Sequence, residues 1–141
     1  MVSKSAKASD GPVVLVVEDE VLVRAMIAQY LRDCDCVVLE ADSAEQVAAI
    51  GRSGQEVDVL VTDINLRGPG SGWDVAESCR AAQPNMGVVY VSGNSVDLLR
   101  CVSGSLFFNK PYLDADILHA CQVLLKRSAC AKSGFGKDRR N

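Results

Sequence analysis

Four stretches of this chain end an apolar run in groups that could hold a cation or a phosphate. VVLVVEDE delivers Glu18, Asp19 and Glu20, VDVLVTD delivers Asp63, GVVYVS ends in Ser92, and Lys110 follows LFFN. Neighbouring carboxylates repel, and each resists ionising beside the others unless a cation or strong donors offset the cost. Carboxylates with a hydroxyl and an ammonium make a hard, oxygen-rich site. Such a site suits Mg²⁺, which takes one or two carboxylates and keeps water or phosphate oxygens.

Positioning these groups together is a task for the elements between them. Five apolar runs read as strands: Val13 to Val17, Cys36 to Ala41, Val57 to Asp63, Val88 to Ser92 and Leu106 to Phe108. Helical spacing fills the intervals. Val23, Ile27, Tyr30 and Leu31 fall on one face, with Leu22 and Met26 beside it, and that helix ends near Asp33. Ser43 and Gln46 give a capping-box signal for a helix running to about Ile50. Trp73 to Ala82 is read as a helix stopped before Pro84, Val96 to Val102 as a short one, and Leu113 to about Arg127 as the last.

Nearly continuous apolar strands alternating with helices predict a parallel sheet covered on both faces, and right-handed crossovers make it doubly wound. The fold class is therefore α/β. In such sheets ligands bind beyond the carboxyl ends of the strands, where the strand order reverses. Glu18, Asp19, Asp63, Ser92 and Lys110 all fall at that edge.

Composition narrows the classes. The 141 residues, 48% hydrophobic and 23% charged, suit one folded domain with a real core. Residues 126–141 carry six basic side chains against Asp138 alone, so within a net charge of −3 the preceding body is −8. An acidic body disfavours direct nucleic-acid binding, and the basic tail, 128–141, is expected to be disordered. No apolar run reaches the ~18 residues of a membrane span and no signal-peptide pattern opens the chain, so a cytoplasmic, membrane-free protein is expected. Six cysteines without a CxxC pair read as reduced thiols, with a structural zinc site as the rival.

VLVVEDE, VTDINL, YVSGN and FFNKP, in this order and at these strand ends, resemble the receiver domain of two-component response regulators. The likeness covers about residues 12 to 127, after a flexible segment at 1–11. It implies a five-stranded, flavodoxin-like sheet of order 2-1-3-4-5. It further implies that Asp63 accepts a phosphoryl group from a sensor histidine kinase or a histidine phosphotransfer protein. Glu18, Asp19, Asp63 and the backbone carbonyl of Asn65 then hold Mg²⁺, Lys110 neutralises the phosphoryl charge, Ser92 turns its hydroxyl to the phosphate, and Phe107 changes rotamer. Asn65 and Asn94 match positions that tune hydrolysis of the acyl phosphate. An effector protein would bind through the fourth helix, fifth strand and fifth helix, and a homodimer is possible on this reading. No reaction is implied beyond the domain's own phosphorylation and dephosphorylation, so it is not an enzyme in the usual sense.

The chain departs from the family pattern in two places. The loop INLRGPGSG is one residue longer than the commonest version and lacks its Met-Asp before the glycine at Gly72, and serine stands at 92 where threonine is commoner. With fourteen residues after Arg127, no output domain is expected, so the chain signals through a protein partner, relays phosphate, or is the receiver of a longer hybrid kinase. Two other classes remain open. A flavin carrier would need a hydroxyl-rich phosphate loop where EDEVLVR stands, and an aspartate-nucleophile phosphatase would need an acid at Asn65.

Overall fold

The structure, a computed structural model, describes residues 11–93 and 100–133. Five strands, β1 (Val13–Val17), β2 (Val37–Ala41), β3 (Val59–Asp63), β4 (Gly87–Ser92) and β5 (Leu106–Asn109), form one parallel sheet of order β2-β1-β3-β4-β5. Four helices, α1 (Val21–Asp33), α2 (Ala44–Arg52), α3 (Gly72–Ala82) and α4 (Asp114–Ser133), accompany them among the described residues. The fold is the flavodoxin-like one expected.

Because side chains alternate along a strand, the apolar runs feed both faces of the sheet. Val14, Val16, Val59, Val61, Val89 and Val91 pack with Ile27, Ala28 and Leu31 of α1 and Ile117, Ala120, Cys121 and Leu124 of α4. On the other face Leu15, Val17, Leu60, Val88 and Tyr90 meet Val47 of α2 and Trp73, Val75 and Ala76 of α3. The register pairs Val17 with Ala41 and Thr62, Asp63 with Val91, and Ser92 with Asn109. It brings the carboxyl ends of the strands to one edge.

Helix starts follow local chemistry. Ser43 accepts the Gln46 N–H, while the Gln46 side chain accepts from Asp42, one residue before the cap, so the expected box is displaced by one position. A full capping box opens α3 instead, with Ser71 taking the Asp74 N–H and the Asp74 carboxylate taking the Ser71 N–H at 2.8 Å. The Ser71 N–H, above all, holds the Asp74 carboxyl below the usual carboxylate range.

Leu22 and Met26, beside the core-facing stripe of α1, are 76% and 66% exposed. One expected boundary needs correction. The last helix runs to Ser133, six residues past the boundary read from periodicity, because Ala129 and Ala131 sustain a helix without an apolar stripe. Of the helix expected at Val96 to Val102, residues 96–99 lie outside the described residues, and Arg100 to Val102 form no α-helix. Asn94, residues 1–10 and residues 134–141 also lie outside them.

None of the six cysteines is in a disulfide. Burial pushes Cys121 up to about 12 and Cys79 up to about 11, whereas Cys34 and Cys130 are exposed. Since the thiolate is the reactive form, iodoacetamide at mildly alkaline pH should modify Cys34 and Cys130 first. Cys121 should react last, at a rate that rises with urea. Peptide mapping that finds Cys121 labelled as fast as Cys34 in the native protein would contradict this packing.

Candidate functional site

The strand order reverses between β1 and β3, and the two most deeply buried acids among the described residues flank that crevice. Glu18, directly after β1, is 3% exposed and Asp63, closing β3, is 6% exposed. Both are delivered by apolar strands whose interior position leaves no other route to the edge. From the end of β5 the Lys110 ammonium donates to Glu18 Oε1 at 2.8 Å and to Asp63 Oδ2 at 2.9 Å. Each remaining carboxylate oxygen accepts a backbone N–H at 3.1 Å, Glu18 Oε2 from Glu20 and Asp63 Oδ1 from Asn65. Asp19, half-buried, pairs with Arg67 at 3.6 Å.

Electrostatics set the balance. Burial is the largest influence on Glu18 and raises its carboxyl above the ordinary value, against the hydrogen bonds from Lys110 and the Glu20 N–H. Burial also opposes the charge on Lys110, but its bonds to Glu18 and Asp63 outweigh that and hold the ammonium well above the lysine range. Lys110 is thus a fixed cation. One carboxylate oxygen from each of Glu18, Asp19 and Asp63 lies within 4.8 Å of the others. An all-oxygen donor set of this kind fits a hard divalent cation.

Ser92 is buried at the end of β4, and its carbonyl accepts the Lys110 N–H at 2.8 Å, which ties the ends of β4 and β5 together. The Lys110–Pro111 peptide is cis. Asn65 is exposed on the loop after β3, beside Asp63. Phe107 stands apart from the acids. It is half-buried within β5 and packs on the α2 and α3 face, whereas Phe108 packs on the α1 and α4 face. His119 is exposed on α4.

Two residues at the edge had no structural role assigned from the sequence. Arg24 donates to the Glu18 carbonyl at 2.8 Å, pinning the chain as it leaves β1. A β-carbon at Gly72 would lie 2.2 Å from the Asp63 carbonyl oxygen and 2.7 Å from the Ile64 α-carbon, so only glycine lets α3 begin against the end of β3. Its N–H donates to the Ile64 carbonyl at 2.8 Å. The run of glycines before α3 was the available signal. The resemblance picked out Gly72 among them, but not its contact with Asp63.

A family model described as a response regulator receiver domain matches residues 14–122. The chain belongs to that family. It is similar to a response regulator receiver protein from Sinorhizobium medicae, 29% identical with a TM-score of 0.80 over 84% of this chain and 97% of that one. It is also similar to the receiver domain of the hybrid histidine kinase CckA, 26% identical with a TM-score of 0.70 over 80% and 98%. The transcriptional regulatory protein AruR of Pseudomonas aeruginosa is 26% identical over 136 residues, 91% of this chain and 55% of AruR. This receiver therefore spans about half the length of that curated relative. Glu18, Asp19 and Asp63 form an acidic pocket that fits the phosphorylation site of a two-component receiver.

The raised Glu18 carboxyl gives the receiver a pH signature. Below its ordinary value of 4.5, folded and unfolded chains both hold the proton and the group costs nothing. As pH rises through the higher folded value, the buried charge weakens the fold. In the presence of chelator Glu18→Gln should therefore raise Tm at about pH 7. The gain over wild type should vanish as pH falls toward ~4. Thermal unfolding across this range checks it, and an unchanged or lower Tm at neutral pH contradicts it.

Proposed function

We propose that this receiver is a phosphoacceptor in a two-component phosphorelay, taking a phosphoryl group on Asp63 and altering a protein-binding surface in response. The observation that carries the reading is the Lys110 ammonium bonded at once to Glu18 and Asp63, a cation built into a buried acidic edge. An Asp63 oxygen attacks the phosphorus of a phosphohistidine, the P–N bond breaks, and the imidazole leaves with the electron pair. The Asn65 N–H and Lys110 orient the attacking carboxylate. Lys110 then follows the charge onto the transferred oxygens, and the Ser92 hydroxyl bonds one of them.

Glu18, Asp19, Asp63 and the Asn65 carbonyl would hold Mg²⁺, which when bound offsets phosphoryl charge that Lys110 alone leaves in excess. Phe107, on the neighbouring layer, is the side chain assigned to carry the change to residues 96–102, β5 and α4. The domain turns over no separate substrate and works in the cytoplasm without touching nucleic acid itself. Among the described residues no helix is long and apolar enough to cross a membrane. The likeness to the receiver of a hybrid kinase supports a second reading, in which phosphate passes onward to a histidine phosphotransfer protein.

Acetyl phosphate with Mg²⁺ should add one acid-labile phosphate, located on Asp63 by mass spectrometry. Asp63→Asn should abolish it, Lys110→Ala should reduce it at least tenfold, the kinetic equivalent of about 1.4 kcal/mol, and Ser92→Ala should retain it. Phosphate elsewhere, or none on the wild type, removes Asp63 from the role.

A protein donor must press on the rim to reach so buried an acceptor. On one side that rim is apolar: Val21, Leu22 and Met26 of α1 and Leu113 before α4 are all exposed. We assign this patch to the donor. Leu22→Asp combined with Met26→Asp should raise KM for a phosphorylated histidine donor about tenfold, a loss of ~1.4 kcal/mol. The rate from acetyl phosphate should stay unchanged. Equal slowing with both donors would show damage to the site and not to docking.

A further inference from the structure

Away from the acidic edge, Arg100 is among the most heavily engaged charges of the described residues. Its Nη2 and Nε donate to the two Glu77 carboxylate oxygens at 2.9 and 3.3 Å, and Nη2 also reaches Asp74 at 3.4 Å. The guanidinium carbon lies 5.8 Å from the centre of the Trp73 ring. Trp73 packs in turn on Tyr90, with ring centres 5.0 Å apart, and the Tyr90 hydroxyl accepts the Val102 N–H at 3.0 Å. Arg100 to Val102 are thus fastened at both ends, to α3 and to β4.

The place on α3 matters. Trp73 directly follows Gly72, the residue pressed against the Asp63 carbonyl, and Asp74 is the acid of the capping box. The fastening therefore joins the helical turn that abuts the acceptor to the segment that follows β4. Only Gly93 and residues 94–99 separate Ser92 from Arg100 in the chain.

If Ser92 moves toward a phosphoryl group on Asp63, it does so with Arg100, eight positions on, still clasped to α3. We propose that Arg100 is a latch holding the receiver in its unphosphorylated arrangement, with Trp73, Asp74 and Glu77 as the catch. This rests on Asp63 being the acceptor. Arg100 is a positioning residue: it acts on the site through the segment it holds. An isolated exposed ion pair contributes little. Here a two-pronged carboxylate contact, a second acid and a stacked ring act on one side chain.

Linkage makes the consequence reciprocal. If a phosphate mimic loosens the latch, removing the latch must tighten the mimic by the same factor. Trp73 is the only tryptophan, so its emission reads the catch directly. Beryllofluoride with Mg²⁺ should shift wild-type Trp73 emission toward that of Arg100→Ala. Arg100→Ala should bind beryllofluoride about 3- to 10-fold more tightly, with little further change in emission. Arg100→Lys, which keeps charge but not the fork, should fall between. Glu77→Gln, changed on the exposed catch, should act in the same direction, and combined with Arg100→Ala it should add less than the sum.

Equal affinity in wild type and Arg100→Ala, or an undiminished emission change in that variant, overturns the latch alone. A wild type whose NMR spectrum and emission respond to beryllofluoride no more than those of Asp63→Asn overturns the acceptor reading and the latch with it.

Discussion

Everything at the functional edge depends on one ammonium placed between two buried carboxylates. Glu18 and Asp63 reach the edge because β1 and β3 are interior strands, and interior strands offer their terminal side chains little water. Charges so placed would repel and unfold the edge without a counter-charge. Lys110 supplies it from the far strand, and its backbone N–H, bonded to the Ser92 carbonyl, fixes the approach. A site of this kind is under tension by construction. It holds more negative charge than one lysine neutralises, which is the condition in which added metal or phosphoryl transfer can change the balance.

The surrounding chain is shaped to that edge. Gly72 gives up a side chain so that α3 can begin against Asp63, and Arg24 spans from α1 to the Glu18 carbonyl. One acid in α3 thereby serves two tasks. Asp74 both closes the capping box and receives Arg100, so the start of a helix and the clasp on a neighbouring segment share one carboxylate.

Much of this was legible in the sequence because strand interiors leave a simple mark. The β1 run ends where the structure ends it, at Val17, and Phe107 and Phe108 point to opposite faces as a period of two requires. The acids after β1 and β3 and the lysine after β5 could be gathered on paper because a parallel sheet sends all its carboxyl ends one way. What was not legible came from pairings across the surface. Hydrophobic spacing cannot tell a buried methionine from Met26, which faces solvent. The clasp of Arg100 on Glu77 joins residues twenty-three positions apart, with no periodic signal between them. The last helix outran its apolar stripe because helix propensity does not need burial.

The ion pair from Lys110 to Glu18 spans ninety-two positions in the chain. During synthesis β1 and β3 can pair, and their acids can meet, long before the lysine has left the ribosome. Until then the central strands carry an unneutralised edge that discourages tight closure of that end. Loop-closure entropy acts in the same direction, since the contact that completes the edge is among the most distant in sequence. The apolar faces can therefore condense first, and the acidic edge gains its counter-charge only when the fifth strand docks. A truncated product that stops short of β5 would be an acidic, incompletely closed sheet with an unpaired β4 edge.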